Sequence, residues 1–122
     1  MDDSTRKQAA RRRAAQERLG RNDAQCPYCG EADARCLELH HIAGRKFDDE
    51  TIPVCRNCHR KLSDMQCDHP LPLHDDPGWM ENLGHKLLGL ADLLALAVAK
   101  LKEVGKLLID KARATPASGT HP

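Results

Sequence analysis

Two Cys-x-x-Cys pairs constrain this chain more than anything else in it: Cys26 with Cys29, and Cys55 with Cys58. A turn of this spacing aims two sulfurs at one point, and two such turns complete a tetrahedron around a metal ion, with Zn–S bonds of about 2.3 Å. Any fold of the chain must therefore bring residues 26–29 against residues 55–58. A site closed by Cys26, Cys29, Cys55 and Cys58 leaves no open coordination position, so the Zn²⁺ expected there is structural. Gly30 follows the first pair and provides the backbone freedom that such a knuckle needs.

A chain of 122 residues reads as one small domain with appendages. A core of that size is marginal without help, and a structural metal is a common remedy. No apolar signal segment is visible near the N-terminus, so the six cysteines read as metal ligands and not as disulfides, in a reducing, cytoplasmic setting. Aromatic residues make up 2% of the chain, which argues against a stacking platform for single strands. The net charge of +1 generates no global field toward nucleic acid or membrane. The charge is unevenly placed, however: residues 1–21 hold seven Lys/Arg against three acids, net +4, which leaves −3 for the remaining 101 residues.

The chain divides into five stretches. Residues 1–21 form a basic arm, helical over 4–19, with Ser4 as cap and Gly20 as stop. Its apolar stripe is thin, so alone it is partly disordered. It is either a solvated tail or an arm along DNA phosphates, with Arg11, Arg12 and Arg13 as contacts. Residues 22–66 are the cysteine-histidine module: a strand over Leu37–Ile42, a polar connection, a second strand over Thr51–Val54 and a short helix over Arg56–Met65. Pro53 places the second strand at an edge. Cys36 reads as a small buried apolar residue, and Cys67, His69 and His74 as at most a loose second metal set. Residues 67–76 are a linker with two prolines. Residues 77–114 form a long helix with Asp76 and Pro77 as its cap and first position. Residues 115–122 read as a disordered tail.

In the long helix Met80, Leu83, Leu87, Leu90, Leu94, Ala97, Leu101, Val104 and Leu108 are spaced three and four apart without a break. This is a heptad seam. It packs within its own domain, forms a homodimer through residues 80–108, or lies on a membrane surface. Asp92, Lys100, Lys102 and Glu103 interrupt the run, so no membrane span is expected. Gly84, Gly89 and Gly105 weaken the helix by roughly 1 kcal/mol each, which packing must offset.

Three histidines accompany the thiols: His40 and His41 in Leu37-Glu-Leu-His-His-Ile42, and His59 directly after Cys58. Adjacent strand residues point to opposite faces, so His40 and His41 do not easily share a metal; one can ligate while the other works as a base. If the two strands form a hairpin, His59 approaches His40 across it. Glu38 shares the His40 face and is either support for a ligand or a solvated acid. This order of two CxxC pairs, doubled histidine and closing Cys55-Arg-Asn-Cys-His59 closely resembles the HNH endonuclease family over residues 26–66. The resemblance implies an α+β chain whose module is a ββα-metal (treble-clef-like) fold, between the basic helix and the long amphipathic one. It implies that His40 and His59 ligate a catalytic divalent metal and that His41 is the general base acting on water. Imidazole ligation suits Zn²⁺, Ni²⁺ or Mn²⁺ better than Mg²⁺. The family's middle Asn position is held here by Glu50, which either braces the hairpin or binds metal with Asp48 or Asp49. Arg45, Lys46, Arg56, Arg60 and Lys61 flank the site as candidate phosphate contacts.

Three functions follow. The first is a metal-dependent endonuclease hydrolysing phosphodiester bonds in DNA. The second is a non-catalytic zinc module docking nucleic acid or a protein. The third is an assembly protein in which the long helix does the binding and the zinc module is a staple.

Overall fold

The computed structural model describes residues 2–115; the tail expected over 115–122 lies, after its first residue, outside them. The chain is α+β. Helix α1 (Asp3–Leu19) is followed by a 3-10 turn (Ala34–Cys36), strands β1 (Leu37–His41) and β2 (Thr51–Cys55), and helices α2 (Arg56–Gln66) and α3 (Trp79–Ala114). β1 and β2 pair antiparallel, with Leu37 opposite Cys55 and His40 opposite Ile52. The ladder continues past the strand ends, where the Ile42 amide donates to the Glu50 carbonyl at 3.1 Å. A two-stranded ribbon has only edges, which is why Pro53 is tolerated opposite Leu39.

Helix α1 is capped by Asp2 and not by Ser4: the Asp2 carboxylate accepts from the Thr5 amide at 2.8 Å. Gly20 ends the helix at φ 77°, with its amide on the Gln16 and Glu17 carbonyls. The thin stripe is enough to dock it. Ala15 and Leu19, four residues apart, are buried, and Arg18 donates to the Leu37 carbonyl at 3.1 Å. The arm is thus a packed element and not a loose tail, because its basic side chains face away while one arginine is spent inward.

The core holds Leu37, Val54 and Leu62, all fully buried, with Ala15, Leu19, Ala24, Leu96 and three of the zinc-type cysteines around them. Hydrophobic core and thiol cluster are therefore one object. Cys36 is only half-buried, and Glu31 beside its thiol raises its pKa.

Helix α3 begins after Gly78, not after Asp76, and runs for 36 residues, about 54 Å. It packs on the module with the face of His85, Gly89, Asp92 and Leu96. Gly89 is where the two backbones meet: a Cβ there would lie 1.7 Å from the Ile42 carbonyl oxygen. The Tyr28 hydroxyl donates to the Leu93 carbonyl at 2.9 Å. His85, a residue the sequence reading leaves without a role, is buried and stacks on Phe47 with ring centroids 3.6 Å apart. His69 of the linker sits 2.7 Å from Asp92. Most of the predicted seam lies outside this contact: Met80, Leu83, Leu87, Leu90, Leu94, Leu101, Val104 and Leu108 are exposed, whereas Ala97 is half-buried beside the module. Among the described residues, no helix is long and apolar enough to cross a membrane.

Candidate functional site

The metal-type cluster is built where the chain turns twice. Cys26–Gly30 is a tight turn closed by the Gly30 amide on the Cys26 carbonyl at 2.9 Å, with Gly30 at φ 77°. A side chain at that φ would be strained, which explains the glycine. Opposite it, Cys55 ends β2 and caps α2: its Sγ accepts from the Cys58 amide at 3.4 Å. The ligand atoms of Cys26, Cys29, Cys55 and Cys58 all lie within 4.8 Å of one another. Cys29 and Cys55 are closest, with sulfurs 3.3 Å apart. These four thiols could hold a metal ion, and the all-sulfur tetrahedral set fits zinc.

The electrostatics of the cluster say the same. Burial opposes the Cys26 thiolate, but backbone N–H groups of Cys55, Tyr28 and Cys29 outweigh it and lower the thiol to about 7. Burial, and then hydrogen bonds to the Cys55 and Cys26 thiols, push Cys58 far up. Four adjacent sulfurs cannot all ionise without a cation among them, and a divalent ion removes that conflict.

The histidines lie beside this cluster. His40 is 1% exposed and its Nε2 has no hydrogen-bond partner. Its ring centroid is 5.4 Å from that of His59, across an angle of 72°. Burial first, then the charges of His59 and His41, hold its pKa down from 6.5 to about 4. It is therefore neutral at physiological pH, the form that can ligate a metal. His59 Nδ1 lies 3.2 Å from Glu38 Oε1. With its proton on Nδ1 it donates there and leaves Nε2 free for another bond. Glu38 and His40 thus share the strand face that looks at α2, as the alternation predicts. His41, on the other face, is half-buried, and its carbonyl accepts from Gln66 Nε2 at 2.9 Å. Among the described residues only the four thiols form a group of three or more close metal-type ligands; His40 and His59 make a pair without a third.

Glu50 sits where the hairpin opens. Its carbonyl braces Ile42, while its carboxylate pairs with Lys86 of α3, as does Asp48 at 3.4 Å. The brace is made by backbone, and the carboxylate is taken up by a contact that no local pattern announces.

The basic residues separate into groups. Arg56 and Arg60 line an open groove of about 790 Å³ together with Glu38, Asn57, His59 and Ser63. Lys61 lies elsewhere, in a smaller cleft between α2 and α3 beside Tyr28 and Leu96. Lys46 is 3.7 Å from Asp75 of the linker, and Arg45 is exposed on the connection. Arg11, Arg12 and Arg13 are exposed on α1. Of the loose second set, Cys67 and His74 are exposed and His69 is taken by Asp92. Comparison with protein-family models, curated proteins and solved structures found no match.

Proposed function

We propose that this chain is a metal-dependent endonuclease of the HNH type, acting on DNA through a ββα-metal, treble-clef-like module with a structural Cys₄ zinc. One observation carries the reading: a buried, neutral His40 with an unpartnered Nε2 faces His59 at the head of α2, beside a groove lined by Arg56 and Arg60. His85 Nδ1 is likewise buried without a partner, so what singles out His40 is its place facing His59 on the rim of that groove.

In this reading His40 and His59 would hold the second divalent ion (Mg²⁺, Mn²⁺, Ni²⁺ or Zn²⁺), with Glu38 fixing the His59 ring. Such an ion, when bound, stabilises charge on the scissile phosphate and the leaving 3′ oxygen. Arg56 and Arg60 bind neighbouring phosphates and set the register without reading bases. His41 takes a proton from the attacking water as the water oxygen bonds to phosphorus and the P–O3′ bond breaks, and the leaving 3′ oxygen takes a proton from solvent.

A second reading, a non-catalytic zinc module that docks nucleic acid or a protein, is favoured by one contact. The Glu50 carboxylate is engaged by Lys86 and so does not brace His41 from the family's Asn position. Incubating zinc-repleted protein with supercoiled plasmid and Mn²⁺, Mg²⁺, Ni²⁺ or EDTA separates the two. Nicking that needs the added ion and is lost in His41→Ala supports the nuclease. DNA binding without nicking, unchanged in His41→Ala, supports the docking module.

A further inference from the structure

Helix α3 has two opposite faces, and the fold uses one. Written as a heptad with Met80, Leu87, Leu94, Leu101 and Leu108 at a, and Leu83, Leu90, Ala97 and Val104 at d, the residues that meet the module fall mostly at the far side of the helical wheel. His85 and Asp92 occupy f, Gly89 and Leu96 occupy c, and Lys86 and Leu93, which also touch the module, occupy g at the edge of the seam. Intrachain packing therefore consumes the back of the helix and leaves the a/d seam pointing outward, with Leu94 68% and Leu101 73% exposed. From Leu101 to the end of the helix every position but the half-buried Gly105 is exposed.

We propose that the seam of α3 is the interface between two copies of this chain, joined as a helix pair. This stands apart from the nuclease reading and holds whether or not the module cuts DNA. Three observations select a second copy. The seam is self-complementary: nine consecutive a and d positions carry only Leu, Met, Val and Ala, with no charge. The eight large seam side chains are 38% to 73% exposed, a continuous apolar area to set against the roughly 800 Å² that each partner contributes to a specific interface. The seam also has a ready side wall, since Leu94, Ala97 and Leu101 border an apolar cleft of about 460 Å³ with Pro27, Tyr28 and Ile52. A helix of the same length and pattern fills such a cleft along its run, which a short peptide does not. Exposed Leu88, Val98, Leu107 and Ile109 widen the apolar face beyond the seam, so attachment to a lipid surface is an explicit outcome of the test.

The test is the mass of the full, zinc-loaded chain in solution by sedimentation velocity, at roughly 1 to 100 µM, a range that brackets a micromolar helix pair. We expect a dimer that becomes a monomer in Leu94→Asp and in Leu101→Asp, and that persists in Leu88→Asp, which is exposed but off the seam. Circular dichroism of each variant checks that the helix survives; Leu101 is 73% exposed and belongs to no buried core, so its variant keeps the fold even if Leu94→Asp does not. A wild-type monomer at the highest concentration overturns the proposal. So does a dimer untouched by both seam charges, or one split equally by Leu88→Asp. A monomer that sediments with phosphatidylcholine–phosphatidylserine vesicles overturns it in favour of a lipid surface.

Discussion

An imidazole taken out of water keeps its neutral form, and a ring nitrogen left without a partner there has a cost that some bond must recover. His40 is in that position. Its folded pKa of about 4 lies below the 6.5 of an unfolded chain, so between those values the unfolded state binds the proton more strongly. His40 therefore adds nothing unfavourable above about pH 6.5, and its contribution is lost as the pH falls toward 4. Urea unfolding at a series of pH values should show stability falling through this window, and His40→Gln should flatten that part of the curve relative to wild type. The thiols belong to the same scale. Cys26, Cys55 and Cys58 are at once core residues and the proposed zinc ligands, so metal and fold are coupled. Cys58→Ser or a strong chelator should unfold the module, with loss of bound zinc and of the cooperative melting transition together. Structural zinc in small domains supplies on the order of 10 kcal/mol, far more than this core spares. The thiols were legible in the sequence because their spacing is a local, covalent property. The burial of His40 was not, because it depends on His59 arriving from nineteen residues away.

Element boundaries followed local chemistry closely. The strands, α2 and the Gly20 stop lie within a residue or two of where turn and cap residues predict them. The caps were less legible: Asp2 displaces Ser4 because its carboxylate reaches the free Thr5 amide, and α3 starts after Gly78 with no side-chain cap at all. The glycines of α3 show the same limit. All three look alike in the sequence, yet only Gly89 has backbone against it, whereas nothing lies within 4 Å of Gly84 or Gly105. Gly89→Ala should force α3 off Ile42 and destabilise by about 1–3 kcal/mol or more. Gly84→Ala should stabilise by roughly 0.5–1 kcal/mol, as an exposed helical glycine replaced by alanine does. Thermal melts of the two variants in parallel check both signs. If Gly89→Ala is as stable as Gly84→Ala, the close approach of α3 to the hairpin is wrong.

Charge, partners and assembly are properties of the whole molecule. Under the proposed function, phosphate contacts come from Arg56 and Arg60 in the groove beside His59, with the exposed arginines of α1 on a separate element. Replacing Arg56 or Arg60 with alanine should weaken DNA binding about equally for all sequences and reduce the slope of log K against log salt by about 1 each. Lys61→Ala, in the cleft between α2 and α3, should leave that slope unchanged. Titrating labelled duplex DNA at several salt concentrations reads both. By itself the sequence determined the thiol quartet, the order of strands and helices, the basic arm and the heptad seam. Each is a short-range pattern of spacing that holds whatever the rest of the chain does. Tertiary structure alone decided which histidine is buried, that Glu50 is held by Lys86, that α1 docks through Arg18, and which face of α3 the module covers. Those depend on pairings between residues tens of positions apart, where the geometry of Gly89 on Ile42 outweighed the greater hydrophobicity of the seam. Apolar area favours burial without direction; steric fit chose the face.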